Sequence, residues 1–358
     1  MKQTTQKNIT IADIAQAAGV SKTTVSRYLN GKYDLMSQET RARIETVIRM
    51  ANYRPSSIAQ SLRGSRTMQI GIVVSDISSP FCSSMIRSLG HSLLDAGYVP
   101  LFADSKDDPD VEKSLIQTLL SRKVDGLVVN TTSYINPYLI QVACDGVPIV
   151  LCDRYVKDFR FPIVSYRHRE AVAEMMSHLK EEGFAKVALF TQDNKNISTR
   201  FIRKNAYLSN MKALYPQEDG ESLIFQIDLP DLKKTKRHVQ ALLSTCAPGE
   251  IPAIFAVNSM SCMHILTALR ELNLSTPQDL GICTPDDWGW DTQFCVSPLN
   301  NSGITAFNVH PARMGSLIAD ILLERLQNPN AEKKAIFLPS ELVIRQSTQL
   351  RAFQSSQP

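Results

Sequence analysis

The fold of the N-terminal part of the chain is decided by residues 10–31, which read TIADIAQAAGVSKTTVSRYLNG. Thr10 is a favourable N-cap, and the apolar residues after it recur at helical spacing, which predicts a first short helix. Ser21 is a second N-cap and predicts another helix that runs to about Leu29. Ser37 begins a third pattern of the same kind. Three short helices are therefore expected in succession.

The spacing of three residues indicates how the first two helices pack. Ala15 is small where the helices cross, and Gly19 lies in a turn that needs a left-handed backbone. Val25 closes the small core between the two helices. This Ala-x3-Gly-x5-Val spacing is typical of a helix-turn-helix, for which an ordinary helical hairpin is the alternative.

Charge is distributed unevenly along the chain. Residues 1–66 contain four Lys and seven Arg against two Asp and two Glu, a net charge of +7 in a chain whose total is +4. The other residues therefore carry a net charge of −3. A basic N-terminal segment on a slightly acidic body indicates that this segment meets a polyanion, which favours the helix-turn-helix over the plain hairpin.

The second helix would lie in the major groove of DNA as the recognition helix. Its outward side chains, which we expect at base edges, are Lys22, Thr23, Ser26 and Arg27. Contacts with phosphates, which position the helix without specifying sequence, are predicted for Ser21, Thr24 and Arg41.

Residues 11–21, 24–27, 29–31, 37–41 and 52–55 together resemble the lactose/galactose-repressor (LacI/GalR) family. The resemblance implies a hinge helix and linker over residues 55–66. In that helix Ala59 would pack against its dimer mate, and Leu62 would enter the minor groove of DNA. The residues agree with this, because Pro55 suits a first helical position and an inserted apolar side chain is a known bending device.

From Met68 onward, apolar strand-like runs alternate with helical patterns. The strand-like runs include 70–74, 99–103, 127–129, 149–151, 187–190, 223–227, 254–257 and 280–283. The helical patterns lie near 84–96, 111–122, 170–182, 201–214, 233–244 and 262–272. This alternation predicts an α/β body with parallel sheets, and roughly 290 residues are too many for one such sheet. We therefore expect two lobes.

The body resembles the periplasmic-binding-protein-like effector domain of the same family. The predicted domains are a helix-turn-helix head at 1–54, the hinge at 55–66, and an effector-binding and dimerisation domain at 67–352. The resemblance implies that the chain crosses between lobes near Ser165, Pro298 and Lys333. A ligand would lie in the cleft between lobes, at the carboxyl ends of the strands.

Ligand contacts are implied where this sequence matches the family pattern. These residues are Ser79, Phe81, Arg203, Asn258 and Asp286, with Trp288 as a wall of the pocket. Arg, Asn and Asp side chains at strand ends suit sugar hydroxyls. The alternative is that the polar residues serve helix caps and interlobe bonds, and that the tryptophan is an ordinary packing residue.

The class of ligand is indicated by a second arginine. Arg200 and Arg203 are three residues apart on a helical stretch and so share a face. A guanidinium pair suits a carboxylate, and residues 286–290 resemble the sugar-acid-responsive branch of the family. Asp286 is itself a potential partner for Arg203, which would leave only Arg200 free. We expect a sugar acid rather than a neutral hexose.

Other function classes lack their sequence signatures. No run of 18 or more apolar residues occurs, and the polar residues 1–7 lack a signal-peptide pattern, so we expect a cytoplasmic protein without a membrane span. Seven scattered cysteines without Cys-x-x-Cys argue against a disulfide framework or a zinc site. Phosphate-loop, nucleophile-elbow, dinucleotide and zinc-protease motifs are absent, so we expect neither an enzyme nor a cofactor or metal.

We predict a homodimeric repressor of a carbohydrate-catabolism operon that binds near-palindromic operator DNA. A small sugar or sugar-acid effector would control it. A cytoplasmic or periplasmic sugar-binding protein without a regulatory role is the alternative, against which the DNA-binding segment argues. An effector could release DNA or strengthen its binding, and the sequence leaves both outcomes open.

Overall fold

A computed structural model describes residues 9–29, 31–53, 66–193, 196–287, 289 and 303–355 of the chain. These residues belong to two separate units, Met1–Thr67 and Met68–Pro358. The predicted hinge residues Ala59 and Leu62 lie outside the described residues, and so do Trp288 and Pro298.

The described part of the first unit contains three α-helices, which begin at the N-caps that the sequence predicts. The helices are α1 (Ile11–Ala17), α2 (Lys22–Leu29) and α3 (Gln38–Met50). The side chain of Thr10 accepts a bond from the Asp13 N–H, and Asp13 accepts one from the Thr10 N–H, which makes a capping box. Gly19, with φ 62°, supplies the left-handed turn between α1 and α2.

The core of the first unit is small and lies between these helices. Ala15 is 4% exposed and Val25 is fully buried, so the residues that the spacing singles out do meet in the core. The other buried apolar residues of the described part of this unit are Ile14, Ala18 and Ile44. One face of α2 is therefore committed to packing, and the opposite face is left for contacts outside the unit.

The second unit contains two sheets, which form its two lobes. In the first lobe the order is β11-β5-β4-β3-β1-β2, and every neighbouring pair is parallel. These strands are β1 (Gln69–Val74), β2 (Val99–Asp104), β3 (Gly126–Val129), β4 (Ile149–Cys152), β5 (Ile163–Tyr166) and β11 (Ala335–Leu338).

The second lobe also contains a six-stranded sheet, but one of its edge strands is antiparallel. Its order is β12-β10-β9-β8-β6-β7, parallel except for the β10–β12 pair. The strands are β6 (Val187–Thr191), β7 (Ile224–Gln226), β8 (Ala253–Ala256), β9 (Gly281–Thr284), β10 (Thr305–Asn308) and β12 (Glu341–Val343). The predicted fold class, an all-α helix-turn-helix head with a two-lobed α/β body, is confirmed.

Helices cover the faces of both sheets. They are α4 (Pro80–Asp95), α5 (Pro109–Ser121), α6 (Pro137–Cys144), α7 (His168–Glu181), α8 (Ser198–Leu214), α9 (Leu232–Ser244), α10 (Ser259–Glu271), α11 (Pro311–Gln327) and α12 (Leu350–Ser355). Helix α11 packs closely on α4. Gly315 permits this approach, because a Cβ at that position would collide with the carbonyl oxygen of Met85. None of the described helices combines the length and apolar character of a membrane span.

The chain passes between the lobes at three points. The first lies between Tyr166 and His168, where β5 of the first sheet ends and α7 begins. The second follows β10, because the chain belongs to the second sheet as far as Asn308. The third lies between Leu338 and Glu341.

Two of these positions correct the sequence prediction. The second and third crossings come later in the chain than Pro298 and Lys333. The reason is that β10 and β11 are four-residue strands, paired with partners far away in the sequence, and each completes its sheet before the chain leaves the lobe.

Candidate functional site

The outward face of α2 carries the side chains predicted to contact DNA. Lys22, Thr23 and Arg27 are exposed, and Ser26 is half-buried. The opposite face holds the buried Val25, so α2 presents these polar groups away from the core of its unit. The four residues predicted at base edges thus share one surface of one helix.

The residues predicted to contact phosphates also have structural roles. The Ser21 hydroxyl accepts a bond from the Thr24 N–H at 3.1 Å and lies 2.9 Å from the Thr24 hydroxyl, so it caps α2. The exposed Arg41 places its guanidinium 3.9 Å from the centre of the Tyr33 ring. This stacking limits the conformations of Arg41 and leaves its N–H groups available at the edge of the ring.

In the second unit, a cavity of about 400 Å³ lies between the lobes. It is lined by residues that follow the strands of both sheets within three positions. These are Ser75, Asp107, Asn130 and Asp153 in the first lobe, and Gln192, Leu229, Asn258 and Asp286 in the second. The carboxyl ends of parallel strands meet at one edge of a sheet, which is why the loops converge on this interlobe cleft.

Six of the seven residues predicted to bind ligand line the interlobe cleft. They are Ser79, Phe81, Arg200, Arg203, Asn258 and Asp286. The seventh, Trp288, lies outside the described residues. The first two come from the start of α4 and the two arginines from α8, so the fold brings four segments of the sequence to one cavity.

Asp107 bridges two arginines at one side of the cleft. Its carboxylate is 2.8 Å from Arg154, in the same lobe, and 3.1 Å from Arg200, in the other lobe. Burial opposes ionisation of Asp107, but the charges of Arg154 and Arg200 outweigh it and hold the pKa of Asp107 below its ordinary value. The carboxylate is therefore ionised at neutral pH.

Arg200 is not the free arginine that the sequence led us to expect. It is 7% exposed, and it donates to the carbonyl oxygen of Asp193 at 2.9 Å as well as to Asp107. Burial lowers its pKa to about 10, although Asp107 opposes this shift. That expectation was wrong because Asp107 lies far away in the sequence and only the fold places it beside Arg200.

Arg203 is held at the back of the cleft. Its guanidinium donates to the Tyr166 hydroxyl at 2.7 Å and to the Val257 carbonyl oxygen at 2.8 Å. Its Nε atom is buried and makes no hydrogen bond to any described residue. A buried guanidinium N–H is costly to leave unpaired, so a ligand oxygen that reached it would be stabilised.

Asp286 is the carboxyl group of the cleft that is hardest to ionise. Burial raises its pKa to about 6, against the opposing charge of Arg203 and with a further rise from Asp153. Asp153 differs, because the His168 side chain lies 3.2 Å away and holds the pKa of Asp153 below its ordinary value despite burial. The cleft therefore contains both a carboxyl group whose pKa is raised, that of Asp286, and one whose pKa is lowered, that of Asp153.

Asn258 already has partners for both ends of its amide. The oxygen accepts a bond from the Ser261 N–H and caps α10, and the nitrogen donates to Gln192 at 2.8 Å. Asn258 therefore caps a helix, which the sequence analysis gave as the alternative to ligand binding. Across the residues that the structure describes, no cluster of His, Cys, Asp and Glu is arranged to hold a metal ion.

Comparison with known proteins places the chain in a family. The description "Bacterial regulatory proteins, lacI family" matches residues 10–56, and "Periplasmic binding protein-like domain" matches residues 176–348. The HTH-type transcriptional regulator KdgR of Bacillus subtilis is 31% identical, and the match covers 97% of this chain and all of that protein. This chain belongs to the LacI family.

Other relatives agree with this assignment. The HTH-type transcriptional regulator PtxS of Pseudomonas aeruginosa is 29% identical over 96% of each chain. A crystal structure of the lac repressor dimer bound to operator and an anti-inducer matches with a TM-score of 0.77 at 21% identity, over 96% of this chain and 99% of that one. The latter shows a shared fold. The predicted function of a LacI-family, DNA-binding transcription regulator is thus confirmed.

Sequence reasoning missed part of the cleft of this LacI-family regulator. Asp107, Asp153 and Arg154 line the cleft, but none of them is among the residues that the sequence predicted to contact a ligand. A signal in the backbone marks the two aspartates, because both have positive φ angles, 55° and 60°. Such angles are uncommon outside glycine and concentrate at functional sites, but they can be measured only in the structure.

Proposed function

We propose that this LacI-family regulator is a homodimeric repressor, and that a small sugar acid in the interlobe cleft controls its binding to a near-palindromic operator. The observation that carries the sensor role is the Asp107–Arg200 ion pair, which joins the two lobes across a polar cavity. A ligand that engaged Arg200 would act directly on the contact between the lobes, and so on the state of the whole unit.

The DNA-binding side of the proposal rests on α2. Lys22 and Arg27 suit the acceptors of guanine, and the Thr23 methyl group suits thymine. Ser21, Thr24 and Arg41 would hold phosphates, and Ser26 would lie beside the bases. In the hinge, the family resemblance assigns Ala59 to the dimer contact and Leu62 to the minor groove. The regulator would act in the cytoplasm, where operator DNA lies, and it needs no catalytic group or cofactor.

Dimerisation is proposed because one head contacts too little DNA for tight specific binding, whereas two-fold symmetry matches a near-palindrome. The first lobe offers a surface for it. Exposed apolar side chains come from three successive elements at the edge of its sheet, namely Leu94 of α4, Val99 and Phe102 of β2, and Val111 of α5. Strand β2 is the edge strand, and a second copy would cover it.

The sugar-acid proposal rests on the cations of the cleft. Its lining includes Lys106, Arg154, Arg200 and Arg203, which are balanced by four aspartates. One of the four, Asp286, is partly protonated near pH 6 and then compensates less than a full charge. A ligand carboxylate would find guanidinium donors there, which is the condition for burying its charge at low cost.

A neutral sugar is the second candidate, because Asp107 already compensates Arg154 and Arg200. Among the relatives, the sucrose operon repressor of Pediococcus pentosaceus is named for a neutral sugar and is 27% identical. The side chains of Asn130, Asp153 and Gln192 would bond hydroxyl groups of either ligand.

Two measurements test the proposal. First, the full chain is used to select double-stranded DNA from a random library, and we expect near-palindromic sites whose affinity falls steeply with salt. Second, calorimetry compares gluconate with glucose and galacturonate with galactose. We expect the acid to bind more tightly in both pairs, and Arg200→Gln to weaken the acid selectively.

The outcomes separate the two halves of the proposal. Selection of sites without two-fold symmetry would contradict the dimeric operator. Tighter binding of the neutral sugar in both pairs would contradict the sugar acid and leave the operator unaffected. Addition of the tighter ligand to the selected DNA complex then shows whether the effector releases DNA or strengthens its binding.

A further inference from the structure

A second cavity of about 470 Å³ lies beside the first crossing between the lobes. Its lining consists of the N-cap and the first three residues of α7 (residues 167–170), together with Tyr166, Ile202, Ala335 and Phe337. None of these residues lines the interlobe cleft. We call this space the rear cavity. It is a separate space that the proposed effector site does not use.

The rear cavity is built on the N-terminus of a long helix that has no cap. The N-cap residue of α7 is Arg167, whose side chain has no acceptor and makes no capping bond. The first-turn N–H groups of a helix have no partner within the helix. They point away from its N-terminus, where the helix dipole favours an anion.

His168 supplies an independent indication of a ligand. The residue is 5% exposed, and its Nε2 atom lies 3.2 Å from the Asp153 carboxylate and 3.2 Å from the Ser165 hydroxyl. Its Nδ1 atom is buried and has no hydrogen-bond partner among the described residues. Since Nε2 faces a carboxylate it carries the proton, so Nδ1 of the neutral ring is an unused acceptor.

Charge around the rear cavity is positive. Arg167 and Arg169 are both exposed, and within the described part of the chain neither forms an ion pair. Glu170 lies in the same turn and offsets one of these two charges. The lining therefore offers guanidinium and backbone donors together with the unused acceptor of His168.

We propose that the rear cavity binds a phosphate group, free or as a monoester. Its oxygens would accept from the α7 N-terminus, Arg167 and Arg169, and its P–OH would donate to His168 Nδ1. Inorganic phosphate near neutral pH, as monoanion or dianion, and a phosphate monoester in its monoanionic form offer both kinds of atom in one small group. A carboxylate or a sulfate offers acceptors only and leaves Nδ1 without a donor.

The rear cavity is connected to the interlobe cleft by two buried contacts. His168 lies against Asp153, and Tyr166 accepts a bond from Arg203, while Asp153 and Arg203 both line the cleft. The Tyr166 and His168 rings are themselves in contact, with centroids 3.8 Å apart and an angle of 43° between their planes. Because binding at linked sites is reciprocal, occupancy of the rear cavity would change the affinity of the cleft for its ligand.

The test compares inorganic phosphate with sulfate, which has a similar shape but carries no proton at neutral pH. Calorimetry on the full chain is run in chloride buffer at fixed ionic strength. We expect phosphate to bind at one site per chain, about tenfold more tightly than sulfate, since a hydrogen bond to a charged group accounts for that difference. Equal affinity of the two ions would overturn the proposal.

Variants locate the site. His168→Gln keeps an N–H donor for Asp153 but loses the acceptor at Nδ1, so phosphate affinity should fall to that of sulfate. Arg169→Glu changes an exposed residue and should weaken both ions about tenfold, which keeps the test decisive if His168→Gln does not fold.

A further variant separates the rear cavity from other basic surfaces. Arg200→Gln removes a cation of the interlobe cleft but none from the rear cavity, so it should keep the preference for phosphate. Loss of the preference in Arg200→Gln would place phosphate in the cleft and overturn the proposal. Persistence of the preference for phosphate in His168→Gln would also overturn the proposal, because phosphate would then bind another basic surface, such as the DNA-binding unit.

Discussion

Asp107 and Arg200 form an ion pair across the interlobe cleft, with Asp107 Oδ2 3.1 Å from Arg200 Nη2. Asp107 also lies 2.8 Å from Arg154 of its own lobe, so one carboxylate compensates two arginines. It occupies the position that the carboxylate of a sugar acid would need if it bound Arg154 and Arg200. The protein thus holds an internal competitor for the ligand, and this competitor also ties the two lobes together.

Asp107→Asn should make the cleft more receptive to anions. Loss of the carboxylate leaves the buried Arg200 and the half-buried Arg154 without a compensating charge, so we expect galacturonate to bind about tenfold more tightly and galactose to be unaffected. The free energy of unfolding should fall by about 1–3 kcal/mol, because the same groups lose their partner. Calorimetry and urea unfolding measure the two effects.

The matched control is Asp76→Asn, which changes another aspartate of the cleft lining whose oxygen bonds locally to Ser78. Asp76→Asn should change neither the affinity for galacturonate nor the affinity for galactose. Weaker binding of galacturonate by Asp107→Asn would show that Asp107 supports the ligand rather than competing with it.

Arg27→Ala should relax the sequence preference of the DNA-binding unit. Loss of a bidentate contact with guanine costs about 1–3 kcal/mol and removes discrimination at one base pair in each half-site. Selection from a DNA library shows this directly. Arg43→Ala, also exposed and in the same unit but on α3, should leave the preferred sequence unchanged. An unchanged preference in Arg27→Ala would mean that another face of α2 meets the bases.

Leu62→Ala should weaken operator binding and reduce the bend in the DNA. The prediction rests on the family resemblance, which places this leucine in the minor groove as a wedge between base steps. Gel mobility of DNA fragments with the operator at different positions measures the bend. Leu62→Met keeps a large apolar side chain and should keep the bend. A normal bend with Leu62→Ala would refute the wedge.

Asp286 should make the folded state less stable as pH rises from about 4 to about 6. Its pKa is about 6 in the folded protein against an ordinary value of 3.8, so the folded state binds more protons in this window. Stability therefore falls with rising pH, by at most about 3 kcal/mol for a shift of this size. Urea unfolding across this pH range should show a slope that Asp286→Asn removes.

Asp107 serves as the control of opposite sign for this pH dependence. Its folded pKa lies below 3.8, so its contribution to stability is present above that value and is lost as pH falls further. Asp107→Asn should therefore leave the slope between pH 4 and 6 unchanged. A parent protein with the same slope as Asp286→Asn would show that Asp286 ionises normally.

The sequence by itself determined the DNA-binding unit. Thr10, Ala15, Gly19, Ser21 and Val25 all lie within one short stretch, and each acts on neighbours a few residues away, as a cap, a turn or a crossing point. Interactions of such short range join residues that are close in the sequence, so the sequence is enough to predict them. For the same reason the apolar patterns predicted six of the nine described helices of the body and eight of its twelve described strands.

The elements of the described body that were not predicted are four strands and the helices α6, α11 and α12. Strands β5, β10, β11 and β12 have three or four residues each, and an apolar run of that length does not by itself distinguish a strand from other buried segments. Their pairing partners supply their stability. The positions of the second and third crossings depend on these strands, which is why those two predictions failed.

Only the tertiary structure decided the electrostatics of the interlobe cleft. Arg200, Arg203, Asn258 and Asp286 could be predicted to lie near one another, because strand ends converge in an α/β fold. That Asp107 compensates Arg200 could not be predicted, since the two residues are 93 positions apart and belong to different lobes. The strength of a charge pair depends on distance and burial, and both arise only when the lobes come together.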